Sequence, residues 1–361
     1  MTDTLLTQLK SSDVGERLQA AEALGERAAE AEVVVPALIT VLDDREYVGD
    51  GHPSFAPRRT VGVAASESLV KIGKPATSAL VAQLNAAANE AKLHSVLETL
   101  RKIGGPAPEA VPRLEKLVET HETESIRYAA LVAWATLREQ NADAVAYLTA
   151  RLKDELPGMR AHAAKLLGEL GADSLPAVDQ LVALLGDDAP YYVAISDHAL
   201  DSRPVRQGAA SALGMIGPKA KSATPSLLRM MREDDDSRVQ QEAALALARI
   251  EGADSTGLDF LIKTLDDRPV DEDSMRVSDL LFALGELGPV ASRALPQVTA
   301  CLHDRNPYVR GGAVSALAAI SGREAIPQIK PFLADDDAFV RAEANGAIES
   351  FQDKSSDGDG D

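Results

Sequence analysis

Residues 204–217 read PVRQGAASALGMIG, and residues 308–322 read YVRGGAVSALAAISG. The two segments share an arginine (Arg206, Arg310), an alanine three residues later (Ala209, Ala313) and a leucine seven later (Leu213, Leu317). Those positions share one face of a helix. Each segment therefore predicts a helix that buries a small residue and, one turn on, a large one. Working outward, the pattern recurs in SIRYAALVAWATL, GMRAHAAKLLGELG and FVRAEANGAIESF, at offsets mostly between 31 and 37 residues. A period of that size marks a solenoid.

Ten units can be registered, anchored at Arg17, Gly62, Leu93, Arg127, Arg160, Arg206, Gln240, Val277, Arg310 and Arg341. Three residues after the anchor stands alanine in eight units, and seven after it stands leucine in eight, with Trp134 and Ile348 in the remaining leucine positions. Small residues let neighbouring helices approach to about 8–10 Å, and the leucine fills the gap beside them. Trp134 is accordingly expected in the core. Glycine follows eleven residues after the anchor in five units (Gly73, Gly104, Gly171, Gly217, Gly288), where a left-handed helix cap is expected. A second apolar segment precedes every anchor, as in VVPALITVL, AVPRLEKLV and ALPQVTACL, with Pro36, Pro112, Pro225, Pro296 and Pro327 read as first-turn prolines. Each unit is thus an antiparallel pair, helix A then helix B. The expected fold is all-α, a right-handed α-solenoid of about ten helix pairs forming a single domain over residues 1–351, with a disordered acidic tail at 352–361.

These units resemble HEAT repeats, specifically the short HEAT-like type of the phycobilisome lyases, from residue 1 to about 351. The resemblance implies that Arg127, Arg160, Arg206, Arg310 and Arg341 pair with turn aspartates of adjacent units. It leaves function open, because one solenoid serves many roles.

Composition narrows the partners. Aromatic residues make up 4% of the chain and apolar ones 45%, so the core must be built from Ala, Leu and Val. A net charge of −19 opposes phosphate backbones and anionic membranes, so neither nucleic acid nor a membrane is an expected partner. No apolar run approaches the ~18 residues of a membrane span, and MTDTLLTQLKSSD lacks the features of a secretory signal, which predicts a cytoplasmic protein. The single cysteine, Cys301, falls at a core position and reads as an inert thiol. Acidic turns such as Asp43-Asp44 and Asp234-Asp235-Asp236 read as helix caps rather than metal ligands.

Catalytic motifs are absent from the pattern. Deoxyhypusine hydroxylase, a di-iron HEAT-like enzyme, carries His-Glu pairs directly after the Val-Arg of several units, and none of the ten units here does. HEAT-like alkylpurine glycosylases use a basic inner face, whereas these positions are neutral, small or acidic. Phycobilin lyases need a chromophore-holding surface for which no distinct motif stands out. The expectation is a protein without catalytic residues, metal or cofactor.

Two turns depart from the rhythm. From the last apolar residue of helix A to the anchor of helix B there are eight or nine residues in seven units and 12 from Leu265 to Val277, but 20 from Leu42 to Gly62 and 21 from Leu185 to Arg206. The long turns, 43–61 and 186–205, carry in the same order an aspartate pair, Tyr-Val, a histidine, and arginine beside proline. Insertions in a repeat array mark the edge that binds. Tyr47, His52, Phe55, Arg58 and Arg59 in the first turn, with Tyr191, Tyr192, His198 and Arg203 in the second, are therefore the candidate partner-binding residues. The leading expectation is a non-enzymatic scaffold that binds a protein partner of unknown identity through these turns and the concave helix B surface. The alternative is a lyase-like or enzyme-accessory protein holding a chromophore or other small ligand in the groove.

Overall fold

The structure, a computed structural model, describes residues 1–48, 59–138, 143–196, 199–267 and 274–353. It divides into two compact units, Met1–Asn141 with Ser196–Ala199, and Ala142–Ile195 with Leu200–Asp361. Both are stacks of helix pairs, and the chain is an all-α solenoid protein.

The first unit pairs α1 (Thr2–Gln8) with α2 (Val14–Leu24), and α3 (Ala31–Thr40) with α4 (Val61–Ile72). It continues with α5 (Lys74–Ala86) and α6 (Glu90–Ile103), then α7 (Val111–Thr120) and α8 (Glu124–Leu137). The second unit opens with α9 (Asp143–Arg151) and α10 (Pro157–Glu169). Next come α11 (Val178–Leu184), the strands β1 (Pro190–Ser196) and β2 (Ala199–Pro204), and α12 (Val205–Ile216). The last four pairs are α13 (Thr224–Glu233) with α14 (Ser237–Glu251), α15 (Thr256–Asp266) with α16 (Ser274–Glu286), α17 (Leu295–Cys301) with α18 (Pro307–Ser321), and α19 (Ile326–Ile329) with α20 (Ala338–Asp353). Even-numbered helices are the B helices, and within each unit they pack on one another: α2 on α4, α4 on α6, α10 on α12, α12 on α14, α18 on α20.

The alanine-leucine pattern is the core. Ala209, Leu213, Ala243, Leu247 and Ala313 are fully buried, and Trp134 and Cys301 join them. Burying one such leucine contributes about 1.5–3 kcal/mol. Contact between α12 and α14 is so close that a β-carbon on Gly214 would lie 2.8 Å from Ala246 Cα, and only glycine fits there. At the end of α12, Gly217 has φ 74° and ψ −145°. This is the positive-φ region open almost only to glycine, but it is not the left-handed helical cap the spacing predicts. Pro112, Pro225, Pro296 and Pro327 sit at the first helical positions as expected. Pro36 does not: α3 begins at Ala31, so Pro36 lies one turn inside it.

Arginine ladders tie successive pairs together. Arg17 Nε reaches Asp44 at 2.9 Å, Arg160 Nε reaches Asp187 at 2.7 Å, Arg206 Nε reaches Asp234 at 2.8 Å and Arg310 Nε reaches Asp335 at 3.0 Å. Nη1 of Arg17, Arg160 and Arg310 bonds carbonyls of its own turn, as Arg310 does with Asp304 and Arg305. Each aspartate also accepts the amide two residues on, Asp335 from Asp337 at 2.9 Å, which closes the turn before helix B. Arg341 departs from the expected pairing with an adjacent unit's aspartate: it belongs to the last pair and bonds the carbonyls of Asp335 and Asp336 in its own turn.

Candidate functional site in the long turns and adjoining helix faces

The two long turns close in the same way. In the first, Val61 N donates to Glu46 O at 3.1 Å and Gly62 N to Asp44 O at 2.8 Å. In the second, Val205 N donates to Ala189 O at 3.0 Å and Arg206 N to Asp187 O at 2.8 Å. Beyond that neck the chain pairs with itself. Tyr47 and Thr60 form an isolated antiparallel bridge, and β1 pairs with β2. Only two residues separate the strands, so they form an antiparallel hairpin. The aromatic and β-branched residues of PYYVAIS favour extended backbone, and this is a strand pair where the repeat pattern predicts only a loop.

The candidate residues are distributed as follows. His52, Phe55, Arg58 and His198 lie outside the described residues. Tyr47 is half-buried within its bridge. Arg59 bonds Glu22 at 2.8 Å and Glu67 at 2.5 Å, an exposed ion pair to α2 and another to α4 beside a charged cleft of about 400 Å³. The adjacent tyrosines separate. Tyr191 is half-buried, and a β-carbon on Gly208 of α12 would stand 3.6 Å from its hydroxyl and 3.9 Å from Ala161 of α10, so the hydroxyl reaches α12 at a glycine that faces α10. Tyr192 is 68% exposed.

Arg203, half-buried on β2, leads to groups that the repeat pattern does not single out. It lies close enough to Glu242 of α14 to favour that carboxylate, and Ser211 of α12 donates a hydrogen bond to the same group. Burial outweighs these effects: it pushes the Glu242 carboxyl above the usual glutamate range, against the lowering by Ser211, Arg249 and Arg203. Arg249 bridges to Glu286 of α16 at 2.7 Å. On α10, burial and then Lys165 push the His162 imidazole down to about 4, so it is uncharged at neutral pH. This row of polar groups runs across B helices beside the hairpin. One signal could have found it: serine five residues after an anchor, answered by glutamate two residues after the next. Ser211 and Glu242 fit it, as do the hydrogen-bonded Ser315 and Glu343.

Comparison with known proteins decides the family. The profile of HEAT repeats matches residues 120–201, 194–277 and 278–349. This chain belongs to the HEAT-repeat family. The HEAT-repeat chain is 32% identical over 199 residues to the phycocyanobilin lyase subunit alpha of Nostoc sp. (strain PCC 7120 / SAG 25.82 / UTEX 2576), a match covering 55% of this chain and 59% of that relative. Among solved structures it matches the Kap95:Nup1 complex at TM-score 0.57 and 14% identity, over 96% of this chain and 51% of the other. It also matches the complex of CpcE and CpcF of phycocyanin lyase from Nostoc sp. PCC7120, at TM-score 0.31 and 19% identity, over 97% and 94% of the chains. The Kap95:Nup1 match speaks for the fold alone. The curated relative corrects the expectation of a non-enzymatic protein: the lyase subunit is part of an enzyme, so this HEAT-repeat scaffold is related to a catalyst. The relation bears out the likeness of the repeats to those of phycobilisome lyases; the non-enzymatic expectation rested on the absence of a catalytic dipeptide or loop signature, and no such signature carries this relation. Among the described residues no helix is long and apolar enough to cross a membrane.

Proposed function

We propose that this chain is a HEAT-repeat subunit of a lyase-type enzyme and holds an open-chain tetrapyrrole or similar conjugated ligand on the B-helix face of α10, α12 and α14 beside the hairpin. The observation that carries this reading is the 32% identity over 199 residues to a phycocyanobilin lyase subunit. The geometry supports it. A bilin is flat and apolar, with pyrrole N–H donors and carboxylate arms, and needs a surface with few but well-placed polar groups. Arg203 offers a cation to a carboxylate arm. Glu242 retains its proton to higher pH than an ordinary glutamate, so it can hold or deliver one at the ligand, while the uncharged His162 both donates and accepts. Tyr192, turned outward on β1, supplies an aromatic contact to the ligand or to the protein that receives it.

Adding phycocyanobilin to the intact chain and recording its visible absorption tests this reading. A shifted, saturable band is expected, and Arg203→Ala and Glu242→Gln should each weaken binding about tenfold. Spectra equal to the sum of the separate components at every ratio would sink the proposal.

A further inference from the structure

Two aromatic rings stand together at the N-terminal ends of the last two B helices. Tyr308, the second residue of α18, is 58% exposed, and Phe339, the second residue of α20, is 38% exposed. Their ring centroids are 5.4 Å apart and the planes tilted by 44°. The pair is seated on the helix. A β-carbon at Gly311 would fall 2.4 Å from Phe339 Cε1, so α18 lacks a side chain where the ring lies. On α16, Ser278 Oγ is 3.5 Å from the Tyr308 carbonyl, and Phe282, one turn further along the same face, is 66% exposed. A chain with 4% aromatic residues thus leaves three rings in water on consecutive B helices.

The rim is acidic. Asp336 is exposed, Asp337 caps α20 by accepting the Phe339 amide at 2.8 Å, and Asp304 lies in the turn before α18. Against them stands Arg305, exposed in that same turn. Arg310 and Arg341 are committed to the turns, Arg310 to both oxygens of Asp335 and Arg341 to backbone carbonyls. The ring faces therefore meet solvent beside a surplus of carboxylates. That combination fits a guanidinium or ammonium group stacked on an aromatic face, with its aliphatic stem on the neighbouring ring.

We propose that this edge docks an arginine- or lysine-bearing apolar segment of a partner protein, with a cation over Tyr308 and Phe339 and an apolar side chain against Phe282. Charge complementarity selects this occupant: a second copy of a chain carrying −19 would bring like charge to the same rim. The inference is independent of the ligand held beside the hairpin.

Fluorescence anisotropy of the intact chain with a labelled amphipathic peptide of arginine and leucine tests it, alongside the same peptide with glutamate in place of arginine. The arginine peptide should bind and the glutamate peptide should not. Tyr308→Ala and Phe339→Ala should each weaken binding about tenfold, and Tyr308→Phe should retain it. Asp235→Asn, at an exposed carboxylate in a different turn, should leave affinity within about twofold. Should Phe339→Ala lower the melting temperature, the more exposed Tyr308→Ala carries the test. Equal affinity for wild type and Tyr308→Ala would reduce the attraction to general acidity and overturn the proposal. So would binding of the glutamate peptide, or self-association of the chain that Tyr308→Ala abolishes.

Discussion

Tyr191 and Tyr192 are neighbours in sequence with opposite surroundings, because successive residues of a strand face opposite ways. Tyr191 rests over Gly208, and Tyr192 meets solvent. Tyr191→Ala should therefore lower stability by about 1–2 kcal/mol, read as a fall of several degrees in melting temperature. Tyr192→Ala should stay within about 0.5 kcal/mol of wild type. Equal effects would show that the hairpin does not lie as described. His162 gives a pH prediction. Its folded pKa of about 4 lies below the unfolded value, so its contribution is present above about pH 6.5 and is lost as pH falls through 4. On the order of 2–3 kcal/mol is at stake. Urea denaturation of His162→Gln at pH 7 and pH 4.5 should show a smaller loss on acidification than wild type does. Glu242 has the opposite sign. Its raised pKa favours the folded state at low pH and costs stability as pH rises through it, so Glu242→Gln should gain stability at neutral pH.

At the scale of the element, the B helix depends on its arginine for more than one contact. Arg310 holds Asp335 through two parallel bonds, 3.0 Å and 2.7 Å, and two carbonyls of its own turn. The Arg310 hydrogen bond is the largest influence that holds the Asp335 carboxyl below the usual aspartate range, so this pair stabilises the fold above about pH 4 and stops doing so as pH falls through the lowered pKa. A lysine cannot reproduce the fork. Arg310→Lys should cost about 1–3 kcal/mol at neutral pH. The difference from wild type should shrink in acid, and a difference that stays constant with pH would contradict the pairing.

At the scale of the whole molecule, each pair within a unit buries its face against the next pair of that unit, so the stability of each unit is a sum of near-neighbour terms. Gly217 and Gly252 both hold positive φ at the ends of successive B helices, and removing residues 218–252 joins the chain in phase at equivalent points. The shortened protein should keep its helical circular dichroism per residue and still unfold on heating. Complete loss of helix signal would show long-range cooperativity instead.

What the sequence determined by itself is local and periodic. The helix pairs, the buried alanines and leucines and the glycine stops follow from spacing, because residues three and seven apart share a face in any helix; the aspartate partners of Arg160, Arg206 and Arg310 were implied by the family resemblance, which failed for Arg341. The near-identical necks of the two long turns were legible for the same reason, as one pattern written twice. Tertiary structure decided what happens between units. The burial of Tyr191 required a glycine on a helix that follows it in the chain, and the environment of Glu242 depends on a serine 31 residues before it and an arginine on the hairpin. The exposed pair of Tyr308 and Phe339 had a visible trace, an aromatic residue before Val-Arg in the last two units. That trace gives the residue type and the helix position, and nothing of exposure. Burial and pKa are set by what the neighbouring helix places opposite a side chain, a property of packing that no period within one unit contains.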